Sequence, residues 1–92
     1  MAAQIEIEKI DATHFLVRVA ERGSTSTHHV TLDPKDHAKL AGGKAVPEEL
    51  IRKSFEFLLE REPKESILSR FDLPLIGRYF PEYKHEIIKR LV

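Results

Sequence analysis

The chain has 92 residues, no cysteine, and 15 basic side chains against 15 acidic ones, with the signs balanced in each half (six of each in residues 1–46, nine of each in 47–92). A length of this order forms a single domain, 1–92, that buries only about 60–65% of its unfolded surface, so nearly every apolar side chain is needed for the core and a deep internal active site is costly to fit. Zero net charge argues against a nucleic-acid binder, whose affinity comes largely from neutralising phosphates, and the lack of cysteine excludes disulfides and thiolate chemistry.

Residues 1–32 alternate in the manner of strands. QIEIEKI sets Ile5 and Ile7 on one face and Glu6 and Glu8 on the other. HFLVRVAE sets Phe15, Val17 and Val19 opposite Arg18 and Ala20, and THHVTL sets His28, Val30 and Leu32 opposite His29 and Thr31. Period-two patterning marks half-buried antiparallel strands. A three-residue loop at Asp11-Ala12-Thr13 places Ile7 opposite Val17, Ile5 opposite Val19 and Glu6 opposite Arg18. A two-residue type II′ turn at Gly23-Ser24 places Val17 opposite Val30 and Phe15 opposite Leu32. The expectation is a three-stranded antiparallel β-meander.

Residues 33–92 switch to helical signals. Asp33-Pro34-Lys35-Asp36 combines an N-cap, a first-turn proline and a following acid, and Gly42-Gly43 closes that helix. Pro47-Glu48-Glu49 opens the next. Its apolar residues Leu50, Ile51, Phe55, Phe57, Leu58 and Leu59 span about 200° of the helix, twice what one packed face requires. Such a helix needs two partners: the sheet, and either the C-terminal helices or a second subunit. Phe55 and Leu58 lie near the middle of the arc and are expected in the core. Leu50 and Phe57 at one margin and Leu59 at the other are expected to face a subunit or partner. Pro63 ends the helix and starts another over KESILSRF, presenting Ile67, Leu68 and Phe71. Asp72 and Pro74 reset the chain for LIGRYF, and Pro81 opens EYKHEIIKRLV with Tyr83, Ile87 and Leu91 as its inner stripe. The fold expected is α+β, with the meander (1–32) followed by three or four helices (33–92) packed on one face.

Chemistry-bearing motifs are sparse. His28 and His29 are adjacent on a strand, leave opposite faces and cannot chelate one ion; His28, on the core face, is expected to be hydrogen-bonded. Glu82 and His85 stand at i, i+3, but a carboxylate-bridged metal site needs two such pairs and further glutamates. AGGK, Ala41 to Lys44, lacks the spacing of a phosphate loop and reads as a helix end. Glu60 and Glu62 flank Arg61 on a solvated face. There is no G-x-S-x-G or H-E-x-x-H. No cofactor, metal or catalytic residue is expected.

Two nucleic-acid readings compete with packing. Residues 28–61 follow the strand–helix–helix order of ribbon-helix-helix repressors, with Arg18, His29, Thr31 and Lys39 as the contacts such a regulator or antitoxin-like protein would use. ESILSRFDLPLIGRYF resembles a helix-turn-helix, though Asp72 and Pro74 sit poorly in it. GRYFPEY, with Arg78, Tyr79 and Tyr83, suits either a surface that stacks bases or holds a peptide, or anchors for the terminal helix whose hydroxyls reach solvent.

The run LIRKSFEFLLEREPKESILSRFDLPLIGRYFPEY, Leu50 to Tyr83, resembles a pattern in small bacterial proteins of uncharacterised function, and that resemblance implies no activity or ligand. No run approaches the roughly 20 apolar residues of a membrane span, and MAAQIEIEK has no signal-peptide regions, so a soluble cytoplasmic protein is expected. The function expected is a non-enzymatic protein-interaction or regulatory module. Its partner is an unidentified protein or a second copy in a homodimer, meeting Leu50, Phe57, Leu59, Arg78, Tyr79 and Tyr83. A DNA-binding regulator comes second and a small enzyme third.

Overall fold

A computed structural model describes residues 3–43 and 45–91. The alternating segments form β1 (Gln4–Lys9), β2 (His14–Glu21) and β3 (Ser24–Thr31). β1 and β2 pair as their pattern requires, with Ile5 opposite Val19, Glu6 opposite Arg18 and Ile7 opposite Val17. The loop between them is fixed by Asp11, whose carboxylate accepts from the backbone N–H of Thr13 and of His14, both at 2.9 Å. The Thr13 amide, followed by the His14 side chain, draws the Asp11 carboxyl down to about 2.

The second hairpin turns at Arg22-Gly23 rather than Gly23-Ser24. Glu21 pairs with Ser24, and Arg22 and Gly23 take φ values of 55° and 79°. Two successive positive φ values make a type I′ turn, whose twist matches that of the strands. Phe15 therefore faces Val30 and Val17 faces His28, two residues from the expected register. A two-residue slip is one full pleat, so every side chain keeps its face.

A fourth strand is the larger departure. Lys64–Ser66 form only a single 3₁₀ turn, after which the chain extends, and β4 (Arg70–Asp72) lies parallel to β3. The sheet is mixed, in the order β1-β2-β3-β4. Local helix propensity across KESILSRF is a matter of a few tenths of a kcal/mol per residue. Without β4, the outer edge of β3 beside the buried Val30 would keep unpaired backbone groups, which cost more. The His29 N–H donates to the Ser69 carbonyl at 2.7 Å, and the Thr31 hydroxyl donates to Asp72 Oδ1 at 2.7 Å.

Helix α1 (Pro34–Ala41) starts as its sequence indicates. Asp33 accepts from the Lys35 N–H at 2.8 Å, and Gly42 closes the helix at φ 58°. His37 Nε2 then bonds the Ala45 carbonyl at 2.7 Å, tying α1 to the loop that follows. Lys44 of the AGGK run lies outside the described residues. Helix α2 (Pro47–Leu59) buries Leu50, Ile51, Ser54, Phe55, Phe57 and Leu58. On its sheet side, the Phe55 ring lies 5.4 Å from His28 and 6.0 Å from Phe71. On its other side, Phe57 meets Phe80 and Tyr83 at 5.9 and 5.4 Å. Both partners that the wide apolar arc demands thus come from the same chain. A 3₁₀ turn, Leu73–Leu75, runs into the short α3 (Ile76–Tyr79), and α4 (Tyr83–Arg90) returns across α2 with Tyr83 and Ile87 buried. One core contains the inner face of the sheet, α2 and the inward stripes of the C-terminal segments.

Candidate functional site

An apolar concavity lies where α2 ends. Pro63 stops the helix, the 3₁₀ turn sends Ile67 inward, and the chain passes through β4 to α3 with Phe71, Leu75 and Ile76 on its inner side. Between these and Leu58 at the end of α2 a groove of about 390 Å³ stays open, with Glu62, Leu68 and Tyr79 also lining it. Ile10, Val46, Leu68, Tyr79 and Ile88 are the large apolar side chains left exposed among the described residues. Of these, only Leu68 and Tyr79, at 46% and 65% exposure, line this groove.

Of the residues expected at a partner surface, the structure keeps some and removes others. Tyr79 stands on the groove and Arg78 beside it is exposed, outside the lining. Leu59 is half-buried against the core. Leu50, Phe57 and Tyr83 are corrections: each is fully buried and cannot meet a partner. Pro81 turns the chain so that α4 covers that margin of α2. The Arg61 guanidinium then closes over Phe57, 3.6 Å from the ring centre, and itself binds Glu82 at 3.2 Å. The Tyr83 hydroxyl, expected in solvent, instead meets Ser54 Oγ at 2.6 Å, and burial pushes it up to about 12. Leu68, Phe71, Leu75 and Ile76, which build much of the groove, were not among the expected site residues. The helix expected to present Leu68 and Phe71 does not form, and both reach the groove from the extended segment instead.

His28 joins the sheet to the segment that becomes β4. Its Nδ1 lies 2.8 Å from the Leu68 carbonyl, which can only accept, so Nδ1 carries the hydrogen and Nε2 accepts from Ser26 Oγ at 2.8 Å. This relay spans 40 positions in the chain and fixes one flank of the groove through Leu68. Burial holds the imidazole below its ordinary 6.5, although the Leu68 carbonyl pulls the other way. A folded-state pKa below the unfolded value means the unfolded chain takes the proton more readily. Stability from this group is complete above about pH 6.5 and declines as pH falls through the lower folded value. Denaturant midpoints from about pH 8 to about pH 5 should therefore fall more in the wild type than in His28→Gln. Parallel curves for the two proteins would show that His28 does not titrate against folding.

The residues considered for nucleic acid do not form a basic face. Arg18 is on the outer face of the sheet and pairs with Glu8 at 3.4 Å, and His29 lies exposed on that face. Thr31 and Lys39 do converge, in a shallow cleft of about 450 Å³ with Lys35, but Asp33, Asp36 and Asp72 share it. Three carboxylates against two ammonium groups oppose a phosphate there. The topology also differs from both DNA-binding families considered. A ribbon-helix-helix strand pairs across a dimer, whereas β3 is already paired on both edges, by β2 and β4. The first helix of the helix-turn-helix reading is replaced by the 3₁₀ turn and β4.

Among the described residues, no three His, Asp or Glu side chains gather as a metal site, and no helix is long and apolar enough to cross a membrane. Glu60 lies exposed, as expected, and accepts from Arg90 at 2.6 Å, which lowers its carboxyl from the ordinary value. The chain matches no protein-family model, and comparisons with curated proteins and with solved structures find no match.

Proposed function

We propose that the protein is a non-enzymatic interaction module that holds a partner protein in the groove between the end of α2, β4 and α3. The observation that carries this reading is the placement of Leu68 and Tyr79, exposed on the lining of the same apolar groove. Exposed apolar surface costs about 25 cal/mol per Å² relative to burial, and a contiguous patch of it beside a concavity is the usual mark of a binding surface. The neutral charge and the acidic cleft beside α1 favour a protein partner over nucleic acid. The His28 relay holds the Leu68 flank in place, so the surface is formed before a partner arrives.

A photo-crosslinking side chain placed at Tyr79, in cells of the source organism, should yield a discrete protein adduct. The same group at the exposed Lys84 of α4 should not, and Leu68→Asp should abolish the adduct from position 79. If position 79 gives nothing beyond the Lys84 control, the groove is not a docking site.

A further inference from the structure

Taking the groove as a docking site, as argued above, we propose that its occupant is an extended segment of a partner protein that adds as a fifth strand to the outer edge of β4, placing an apolar side chain in the groove and a basic one against Glu62. The sheet ends at β4. His29 N–H donates to Ser69 O, so the parallel ladder uses the backbone of Ser69 and Phe71 toward β3 and turns the N–H and C=O of Arg70 outward. An open strand edge beside an apolar pocket is the arrangement by which extended peptides are captured: the edge supplies backbone hydrogen bonds and the pocket selects alternate side chains. Phe71, which lines the groove, and Arg70 point to opposite faces of the sheet. A partner residue opposite Arg70 in an antiparallel strand would therefore exchange both backbone bonds with it, while that residue's two neighbours project over the groove.

Charge selects among extended segments. Among the described residues, Glu62 is the one charged side chain lining the groove, and it makes no ion pair with any of them. The acids around it are engaged: Glu60 with Arg90, Glu65 with Lys64, Glu82 with Arg61. A carboxylate without a cation on an apolar groove fits a lysine or arginine next to the partner's apolar anchor. A half-exposed pair contributes about 0.2–1 kcal/mol, and an acidic residue in its place is repelled by a similar amount, so preference for basic over acidic segments should be roughly two- to thirtyfold.

The test uses two capped pentapeptides, Lys-Thr-Leu-Thr-Lys and Glu-Thr-Leu-Thr-Glu, titrated into the full chain while backbone amide resonances are followed. The lysine peptide should shift Arg70, Phe71 and Tyr79 and bind roughly two- to thirtyfold more tightly. Methylating both threonine amides, which removes their N–H donors and sets a methyl group against the strand edge while keeping charge and anchor, should abolish the shifts. Glu62→Gln should erase the preference without lowering affinity for the glutamate peptide. Equal binding of the two peptides, or indifference to N-methylation, would overturn the basic-strand proposal while leaving the groove a docking site. Failure of the lysine peptide to shift these resonances, with the Tyr79 adduct still present, would do the same. Loss of both peptide binding and the adduct would remove the docking site itself.

Discussion

Phe57→Ala is expected to destabilise the fold by about 3–5 kcal/mol, as much as Phe55→Ala, because each removal empties a fully enclosed aromatic site. The two rings sit on opposite sides of α2. Phe55 packs toward His28 and Phe71, and Phe57 toward Phe80 and Tyr83. Phe57 has a further contact that alanine cannot keep, the Arg61 guanidinium 3.6 Å above its ring. Small domains are stable by about 5–15 kcal/mol in all, so either variant should lose a large fraction of its denaturant midpoint. Neither should change the sedimentation of the folded protein. A Phe57→Ala variant that folds with near-native stability but alters self-association would mean that the ring faces a second subunit, and that α4 does not cover it.

That contrast also marks where sequence patterns stop being informative. The 200° apolar arc of α2 requires two partners, and the structure supplies two. Which molecule covers the second side depends on how Pro81 redirects α4, a tertiary matter with no local periodic signal. The faces of β1, β2 and β3 are legible because period-two alternation survives any error of an even number of residues. For the same reason the hairpin register is not: Arg22-Gly23 and Gly23-Ser24 both suit a two-residue turn and give the same faces. β4 leaves almost no trace. It is three residues long, its partner strand lies about 40 residues earlier, and Ile67, Leu68 and Phe71 mimic a helical stripe. The groove was hidden with it. Leu68 counts as a core residue only if that segment is helical, and once β4 forms the same leucine becomes part of an open lining.

Tyr83→Ala is expected to cost about 3–5 kcal/mol, and the reason is the closure of α4 on α2. Tyr83 is fully buried at the first turn of α4, with its ring 5.4 Å from Phe57 and its hydroxyl 2.6 Å from Ser54 Oγ. Ser54 also donates to the Leu50 carbonyl at 2.7 Å, so its hydrogen is committed and Tyr83 is the donor of the pair. Tyr83→Phe keeps the ring and removes only that donor. Ser54 retains its bond to Leu50, so the phenylalanine variant should lose about 1 kcal/mol. The difference between the two variants then isolates the ring. Combining Tyr83→Ala with Phe57→Ala should cost less than the sum of the two, by about 0.5–1.5 kcal/mol, because the edge-to-face contact can be lost only once. Urea unfolding of the wild type and the four variants gives all of these quantities. Strict additivity would show that the two rings do not interact. A Tyr83→Phe variant as unstable as Tyr83→Ala would place the importance of this site in the buried hydroxyl pair, not in the packing that joins α4 to α2.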